Sequence, residues 1–435
     1  MPINEFRRSD DPGSFQLHLI IVGAGLAGLA AAISTRLEGH RVTVLEKVAK
    51  LEEVGAGLQV TPNATRLFHD WGIYDDLSSK AGVPSYLAVR RFDGTRILAF
   101  EDCFEKKMLQ RYGAPFWDLH RADLQAALLR RAESLDVDVR LGTEVQHIDI
   151  ELASVTTRDG QCFKGDLVLG ADGLWSSARS IFLKQELRPQ PTGDLAYRII
   201  LDLDDIHDRD LRQLVEIPSV NFWIGPHSHA VGYSVRQGRT YNLVLLRPDD
   251  LPEDVSRAPG NVQEMRKLFD SWDPILKRLL ECVTKVDKWR LMHISPLRTW
   301  TSHNGKFLMA GDACHPMLPY LAQGANSSLE DGAVLGRLLK YVTSRDKIAP
   351  ALEMYEKLRK VRGEAIAKES LAQRELFHLP DGLLQEKRDA IFMSGIRRGL
   401  SSRFQNRWTF PEFQSWLYSY DAVREADRAY QAHPF

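Results

Sequence analysis

The segment LIIVGAGLAGLAAAI, from Leu19 to Ile33, constrains the fold more than any other part of this 435-residue chain. An apolar run of strand length leads into a small-residue segment with helical spacing, and Gly23, Gly25 and Gly28 occupy the turn in GxGxxG spacing. The first glycine permits the tight turn, the second lets the backbone approach a pyrophosphate, and the third lets helix and strand pack closely. The pattern predicts a strand–helix–strand unit that binds a dinucleotide.

The next predicted strand supports this reading. RVTVLE ends at Glu46, close to the roughly 20 residues after the glycines at which such folds place a carboxylate on the adenosine ribose. The alternative for Glu46 is a solvated charge at a strand end. NAD and FAD sites share the glycine pattern, so at this point the identity of the dinucleotide stays open.

Composition and charge exclude several classes. The net charge of −1 provides no field that would recruit nucleic acid. The four cysteines lie far apart, without a CxxC pair, and predict neither a disulfide framework nor a zinc site. They favour a reducing, cytoplasmic location. We expect no metal site. We also expect no transmembrane segment, because the apolar run at the glycine turn is too short and too rich in glycine to span a bilayer.

The pattern along the chain predicts three parts. A doubly wound α/β dinucleotide-binding domain is expected to be discontinuous, over residues 17–185 and 286–345. Segments of 186–285 such as LAYRIILDL and TYNLVLLRP have strand lengths and predict an inserted, mostly antiparallel sheet domain. Residues 346–435 are expected to form a helical C-terminal region.

Two further motifs end in polar residues after predicted strands. LVLGADGLWSSAR places Asp172 at a strand end, with Arg179 beyond it, and GDACHPMLPYLAQGAN places Asp312 at another. The second motif continues through Gly324 into a segment with helical spacing. A small-residue helix start after a strand is a place where a chain receives an anion or a polar ring edge.

The order of the three motifs resembles the single-component flavin-dependent aromatic hydroxylases, the group of para-hydroxybenzoate and salicylate hydroxylases. The resemblance covers about residues 17 to 375. EVGAGLQVTPNA, Glu53 to Ala64, and the GDACHPMLPYLAQGAN segment look most like salicylate hydroxylases and fungal tailoring monooxygenases. The resemblance to this family implies FAD as the cofactor, NAD(P)H as a transient reductant, and oxygen transfer from O2 through a flavin hydroperoxide.

The resemblance also implies roles for individual residues. Asp312 would bind the ribityl or ribose hydroxyls, and the backbone of Gly324, Ala325 and Asn326 would face the pyrimidine edge of the flavin. Four further residues would contact the cofactor at other points: Gly57, Arg121, Val145 and Asp172. Asp172 belongs to a motif that the family links to both FAD and NAD(P)H. The alternatives are a surface charge at a helix start for Arg121 and a structural pair with Arg179 for Asp172.

Two residues of the predicted sheet domain match positions that dearomatising relatives use for substrate. Arg198 could hold a phenolate or carboxylate by charge-assisted hydrogen bonds. Tyr233 could hold or deprotonate a phenol. Equally, Arg198 could be a charge at a sheet edge and Tyr233 a core aromatic. His229, near the start of the same strand as Tyr233, is expected to be solvated and outside the site.

The predicted function is hydroxylation of a small aromatic substrate, a phenolic acid such as salicylate. Three alternatives stay open: a tailoring monooxygenase that acts on a larger polyketide or indole compound, a flavin reductase without oxygen transfer, and a non-catalytic FAD-binding protein. The sequence does not choose between NADH and NADPH, and it leaves the oligomeric state open.

Overall fold

A computed structural model describes residues 15–51, 56–394 and 405–435. The first three residues of the EVGAGLQVTPNA segment, 53–55, lie outside the described residues. The strands, in chain order, are β1 His18–Val22, β2 Arg41–Leu45, β3 Gly57–Val60, β4 Leu87–Arg91, β5 Ile97–Glu101, β6 Trp117–His120, β7 Asp138–Arg140, β8 Val145–Asp149, β9 Ser154–Thr157, β10 Cys162–Lys164, β11 Leu167–Gly170, β12 Gln190–Asp202, β13 Val220–Gly225, β14 Ser228–Val235, β15 Thr240–Pro248, β16 Arg257–Pro259, β17 Asp287–His293 and β18 Phe307–Met309.

Helices surround the sheets and dominate the last third of the chain. They are α1 Leu26–Leu37, α2 Pro62–Thr65, α3 Leu67–Trp71, α4 Tyr74–Ser78, α5 Phe104–Tyr112, α6 Arg121–Ser134, α7 Ser177–Leu183, α8 Arg209–Glu216, α9 Val262–Leu268, α10 Pro274–Glu281, α11 Gln323–Leu339, α12 Ile348–Phe377, α13 Leu383–Met393, α14 Pro411–Tyr418 and α15 Ala422–Ala432. Within the described ranges, no helix is long and apolar enough to cross a membrane.

Five parallel strands form the centre of the first sheet, in the order β18-β11-β1-β2-β7. Its central strands are buried along almost their whole length, as parallel strands covered on both faces require. Helix α1 packs closely on α11. A Cβ on Gly332 would lie 2.5 Å from the Ala30 carbonyl carbon, and one on Gly336 would lie 2.4 Å from the Ser34 Cβ. The predicted doubly wound α/β core is confirmed.

A second sheet has eight strands in the order β16-β17-β12-β15-β14-β13-β4-β5. All neighbours are antiparallel except β13 and β4, so the expected mostly antiparallel sheet is confirmed. The sheet includes β4 and β5, which precede residue 186, and β17, which follows residue 285. The segment 186–285 therefore forms most of this sheet but not all of it.

Side chains alternate between the two faces of this sheet, as the pleat requires. Along β12, Tyr197 packs into an apolar core with α8, α9 and α10, whereas Ala196 and Arg198 line a cavity on the opposite face. Along β14, Val231 and Tyr233 face the same cavity. The sheet thus presents one wall to the parallel domain and buries the other under helices.

Candidate active site

A cavity of about 310 Å³ lies where the two sheets meet. The glycine turn before α1, the segment around Asp312 and the start of α11 form one side, and strands β12–β15 form another. Concave sites of this kind, apolar with a few convergent polar groups, are the usual position of ligands. Among the described residues, no group of three His, Cys, Asp or Glu side chains could hold a metal ion.

The glycine turn has the geometry that its sequence pattern requires. Gly23 has a φ of +107°, and a Cβ there would lie 2.5 Å from the Ala171 carbonyl oxygen. A Cβ on Gly28 would lie 2.0 Å from the Gly23 carbonyl oxygen. At Gly25, no non-neighbouring atom of the described residues lies within 4 Å of a Cβ. The first and third glycines therefore serve packing, and the second leaves open space beside the cavity.

Glu46 holds the glycine turn in the structure. Its carboxylate accepts hydrogen bonds from the Ala24 N–H at 2.8 Å and the Val48 N–H at 3.1 Å. The sequence pattern places this carboxylate near a ribose but does not reveal its bond to the turn. Val145 lies at the start of β8, half-buried and packed against the main core. It is not among the residues that line the cavity.

Asp312 follows β18 and faces the cavity. No donor among the described residues reaches its carboxylate, and burial raises its pKa, an effect that the positive charge of Arg121 opposes. Arg121 begins α6 and also lines the cavity. A carboxylate in this position is available to the hydroxyl groups of a ligand.

Helix α11 begins at the cavity directly after the Asp312 turn. Ala322 precedes it in the left-handed conformation, and Gly324 and Ala325 line the cavity. Within the described part of the chain, no non-neighbouring atom lies within 4 Å of a Cβ on Gly324. The first N–H groups of a helix have no partners within it and give that end a partial positive charge. The start of α11 can therefore receive an electron-rich ring edge.

The side chain of Asn326 points away from the cavity and fixes α11 to the segment after β3. Its Oδ1 accepts from the Thr61 N–H at 2.9 Å, and its Nδ2 donates to the Gln59 carbonyl at 3.0 Å. Gly57 lies in the same region. A Cβ there would lie 2.7 Å from Tyr233 and from Asn242, so only glycine lets β3 pass this close to the sheet.

A buried ion network supports the Asp312 turn from behind. Asp331 accepts from the Gly311 N–H at 2.8 Å, from His315 Nε2 at 2.5 Å and from Arg359 Nε at 2.7 Å. Burial alone would lower the pKa of His315. The charge and the hydrogen bond of the neighbouring Asp331 carboxylate together have the larger effect, so the pKa of His315 is raised. His315 is thus a positive partner of Asp331 that holds the turn.

Asp172 and Arg179 hold the loop between β11 and α7. The Asp172 carboxylate accepts from the Ser176 hydroxyl at 2.5 Å and the Ala178 N–H at 3.0 Å, a capping arrangement at the start of α7. Arg179 is 1% exposed and donates to the carbonyls of Leu174 and Ala313. Gly173, between them, lines the cavity. The two side chains make structural contacts, and the backbone of their loop faces the site.

Arg198 and Tyr233 both face the cavity from the eight-stranded sheet. The Arg198 guanidinium lies 4.8 Å from the centre of the Trp289 ring, and no carboxylate among the described residues pairs with it. Burial lowers the pKa of Arg198, and repulsion from Arg121 lowers it further. Tyr233 is 5% exposed, and burial raises the pKa of its hydroxyl. The pair presents a cation and a protonated phenol to a ligand.

The expectation that His229 is solvated was wrong. It is 2% exposed and lines the cavity, and its Nδ1 lies 2.8 Å from His378 Nε2. Burial lowers the pKa of both imidazoles, that of His378 to about 4. The alternation HAVGY, which puts His229 on the same strand face as Tyr233, could have revealed this position.

Comparison with known proteins identifies the cofactor that this cavity receives. The family described as "FAD binding domain" matches residues 16–370. The chain belongs to this family. It is 54% identical over 416 residues to the FAD-dependent monooxygenase OpS4 of Beauveria bassiana, across 95% of this chain and 97% of the relative. It is 30% identical to a 3-hydroxybenzoate 6-hydroxylase of Polaromonas naphthalenivorans, across 85% and 90%.

A solved structure shares the fold. A salicylate hydroxylase substrate complex superposes with a TM-score of 0.74, at 22% identity, across 95% of this chain and 98% of that one. This chain is an FAD-dependent monooxygenase. Its cavity fits FAD, because space is open over Gly25 and Gly324 and no donor among the described residues reaches the Asp312 carboxylate.

Proposed function

We propose that this FAD-dependent monooxygenase hydroxylates a phenolic aromatic acid, with NAD(P)H as the reductant. The observation that carries the proposal is Arg198, a half-buried guanidinium on the cavity wall without a carboxylate partner among the described residues. A cation that has lost much of its contact with water is costly unless a ligand supplies the opposite charge. The carboxylate or phenolate of an aromatic acid would do so by paired, charge-assisted hydrogen bonds.

The chain itself would position both molecules. Bound FAD supplies the redox chemistry that activates oxygen. Asp312 would accept hydrogen bonds from the hydroxyl groups of FAD, and the start of α11 would stabilise negative charge on its ring. The apolar side chains of Phe222, Leu246 and Leu291 line the remaining space and would exclude water from the reaction.

Two neutral side chains, Tyr233 and His229, would form hydrogen bonds with the substrate. Because burial raises its pKa, Tyr233 stays protonated and would donate a hydrogen bond to the substrate oxygen rather than remove its proton. His229 is neutral because burial lowers its pKa. Its Nε2, the ring nitrogen that His378 does not engage, would be available to form a hydrogen bond with the substrate.

The name of a relative supports this substrate class. A 3-hydroxybenzoate 6-hydroxylase is 30% identical over most of the chain, and its substrate combines a phenol with a carboxylate. The described residues contain one glycine turn of the dinucleotide type, and it borders the cavity where FAD fits. NAD(P)H would therefore react from the open side of this same cavity.

The test combines the absorption spectrum of the purified protein with turnover. Consumption of NADH, NADPH and O2 would be followed against a panel of hydroxybenzoic acids and matched phenols that lack the carboxyl group. We expect stimulation by the acids and a product that is one oxygen atom heavier. NAD(P)H oxidation without an oxygenated product across the panel would refute hydroxylation and favour a flavin reductase.

A further inference from the structure

We propose that Trp408 is the wall that restricts the substrate to a single aromatic ring, an inference that rests on the proposed function. Trp408 lies in the C-terminal region, beyond the part of the chain that the FAD-binding family matches. It is 2% exposed and lines the cavity. Its ring centre lies 5.0 Å from that of Phe222, which lines the cavity from β13. The two rings form a continuous aromatic surface.

Hydrogen bonds fix the indole in place. Its Nε1 donates to the Tyr320 carbonyl at 3.0 Å, in the turn that connects the Asp312 motif to α11. Its backbone N–H donates to Asn406 Oδ1 at 3.1 Å. The indole is therefore tied to the turn that leads from the Asp312 motif into α11.

The neighbouring residue anchors this segment to α12. Arg407 pairs with Glu369 at 2.9 Å, and its N–H donates to Gln373 Oε1 at 3.1 Å. Side chains that are hydrogen-bonded and closely packed on several sides do not move aside without loss of those contacts. A substrate that extends past this wall would have to break them.

Because the cavity is small, the position of Trp408 determines how many aromatic rings of a substrate fit. At about 310 Å³, the cavity lies near the lower end of the range for ligand pockets, and bound FAD would occupy part of it. An indole has about the size of a two-ring aromatic system. Its removal would open space for one further ring beside Phe222, whereas its presence leaves room for one.

The test compares a one-ring acid, 2-hydroxybenzoate, with its two-ring counterpart, 1-hydroxy-2-naphthoate. Binding would be measured by the change in flavin absorbance on titration, and turnover as kcat/KM for oxygenated product. We expect wild-type holoenzyme to prefer the one-ring acid by about 100-fold. Trp408→Ala should reduce this preference at least about tenfold by a gain for the two-ring acid, and Trp408→Phe should have an intermediate effect.

Trp416 provides a matched control, since it is a tryptophan of the same region that is 39% exposed and does not line the cavity. Trp416→Ala should leave the preference unchanged. An unchanged preference in Trp408→Phe that retains FAD, or equal binding of both acids by the wild type, would overturn the inference and leave the proposed function intact. If the Trp408 variants shift the binding preference but no acid is oxygenated, the proposed function is refuted, whereas the role of Trp408 in limiting ligand size stands.

Discussion

Replacing Arg198 by Gln should stabilise the protein and weaken its response to substrate. The guanidinium is half-buried on the cavity wall, burial lowers its pKa, and no carboxylate among the described residues compensates its charge. The folded state without ligand therefore carries a desolvation cost that the neutral amide removes. Replacement of poorly compensated buried charge is often stabilising by about 1 kcal/mol or more, and for a chain of 435 residues we expect the melting temperature to rise by about 1 °C or more.

The same change removes the proposed partner of the substrate carboxylate. A hydrogen bond to a charged group contributes about 1.5–3 kcal/mol, so kcat/KM for a hydroxybenzoic acid should fall about 10- to 150-fold. With the corresponding carboxamide as substrate, the loss should be much smaller, because the negative charge is absent. This cycle of enzyme variant and substrate variant isolates the charge interaction.

Arg257 offers a matched control for Arg198. It lies over the same Trp289 ring, at 4.3 Å, but its side chain is 54% exposed and pairs with Asp287 at 2.8 Å. Arg257→Gln should leave both the melting temperature and kcat/KM close to wild type. The reasoning is refuted if Arg198→Gln melts at a lower temperature, or if it loses as much activity on the carboxamide as on the acid.

Other changes test the cofactor site and the buried histidines. Asp312→Asn should weaken FAD binding about tenfold, measured by titration of the apoprotein, because one charged acceptor is lost. Gly28→Ala should destabilise the fold by about 1–3 kcal/mol, since its Cβ meets backbone at 2.0 Å. Gly25→Ala, whose Cβ meets no described residue outside its own turn, should fold normally and bind FAD less well. Burial lowers the pKa of His378 to about 4, while in the unfolded chain it is about 6.5. Below pH 6.5 only the unfolded chain gains this proton, so the free energy of unfolding should fall by up to about 3 kcal/mol between about pH 6.5 and 4. His378→Gln should flatten that loss in urea titrations.

Each of these results has an outcome that contradicts it. FAD binding to Asp312→Asn at wild-type affinity would remove this carboxylate from the cofactor site. Equal stability of the two glycine variants would contradict the packing role of Gly28. An unfolding free energy with the same pH dependence in His378→Gln as in wild type would show that this imidazole does not titrate in the expected window.

Local pattern made the cofactor fold predictable. The glycine turn, the strand before it and the helix after it are adjacent in sequence, and their steric requirements act over a few residues. The positive φ of Gly23 and the open space at Gly25 follow from this short segment. The Asp312 motif is equally local, because a strand end and a helix start enclose it. The order of the three motifs then indicated the family.

Side-chain partners from distant segments could not be predicted in this way. The sequence assigned the backbone of Asn326 to the flavin edge, but it gave no sign that the side-chain Oδ1 accepts a hydrogen bond from the N–H of Thr61, which lies 265 residues away in sequence. Arg179 bonds to the carbonyl of Ala313, 134 residues away. Neither partner has a sequence pattern that identifies it. Which polar group points into a cavity and which one holds the backbone depends on the packing of whole elements.

The sequence by itself determined the family, the cofactor and the turns that receive it, because those features depend on short-range sterics and hydrogen bonding. Only the tertiary structure decided how the substrate side is built. It placed Arg198 without a carboxylate partner among the described residues, buried His229 against His378 and brought Trp408 from the C-terminal region to the cavity. The physical reason is that a cavity is bounded by residues far apart in the chain, and their burial and charge environment exist only after the sheets and helices have packed.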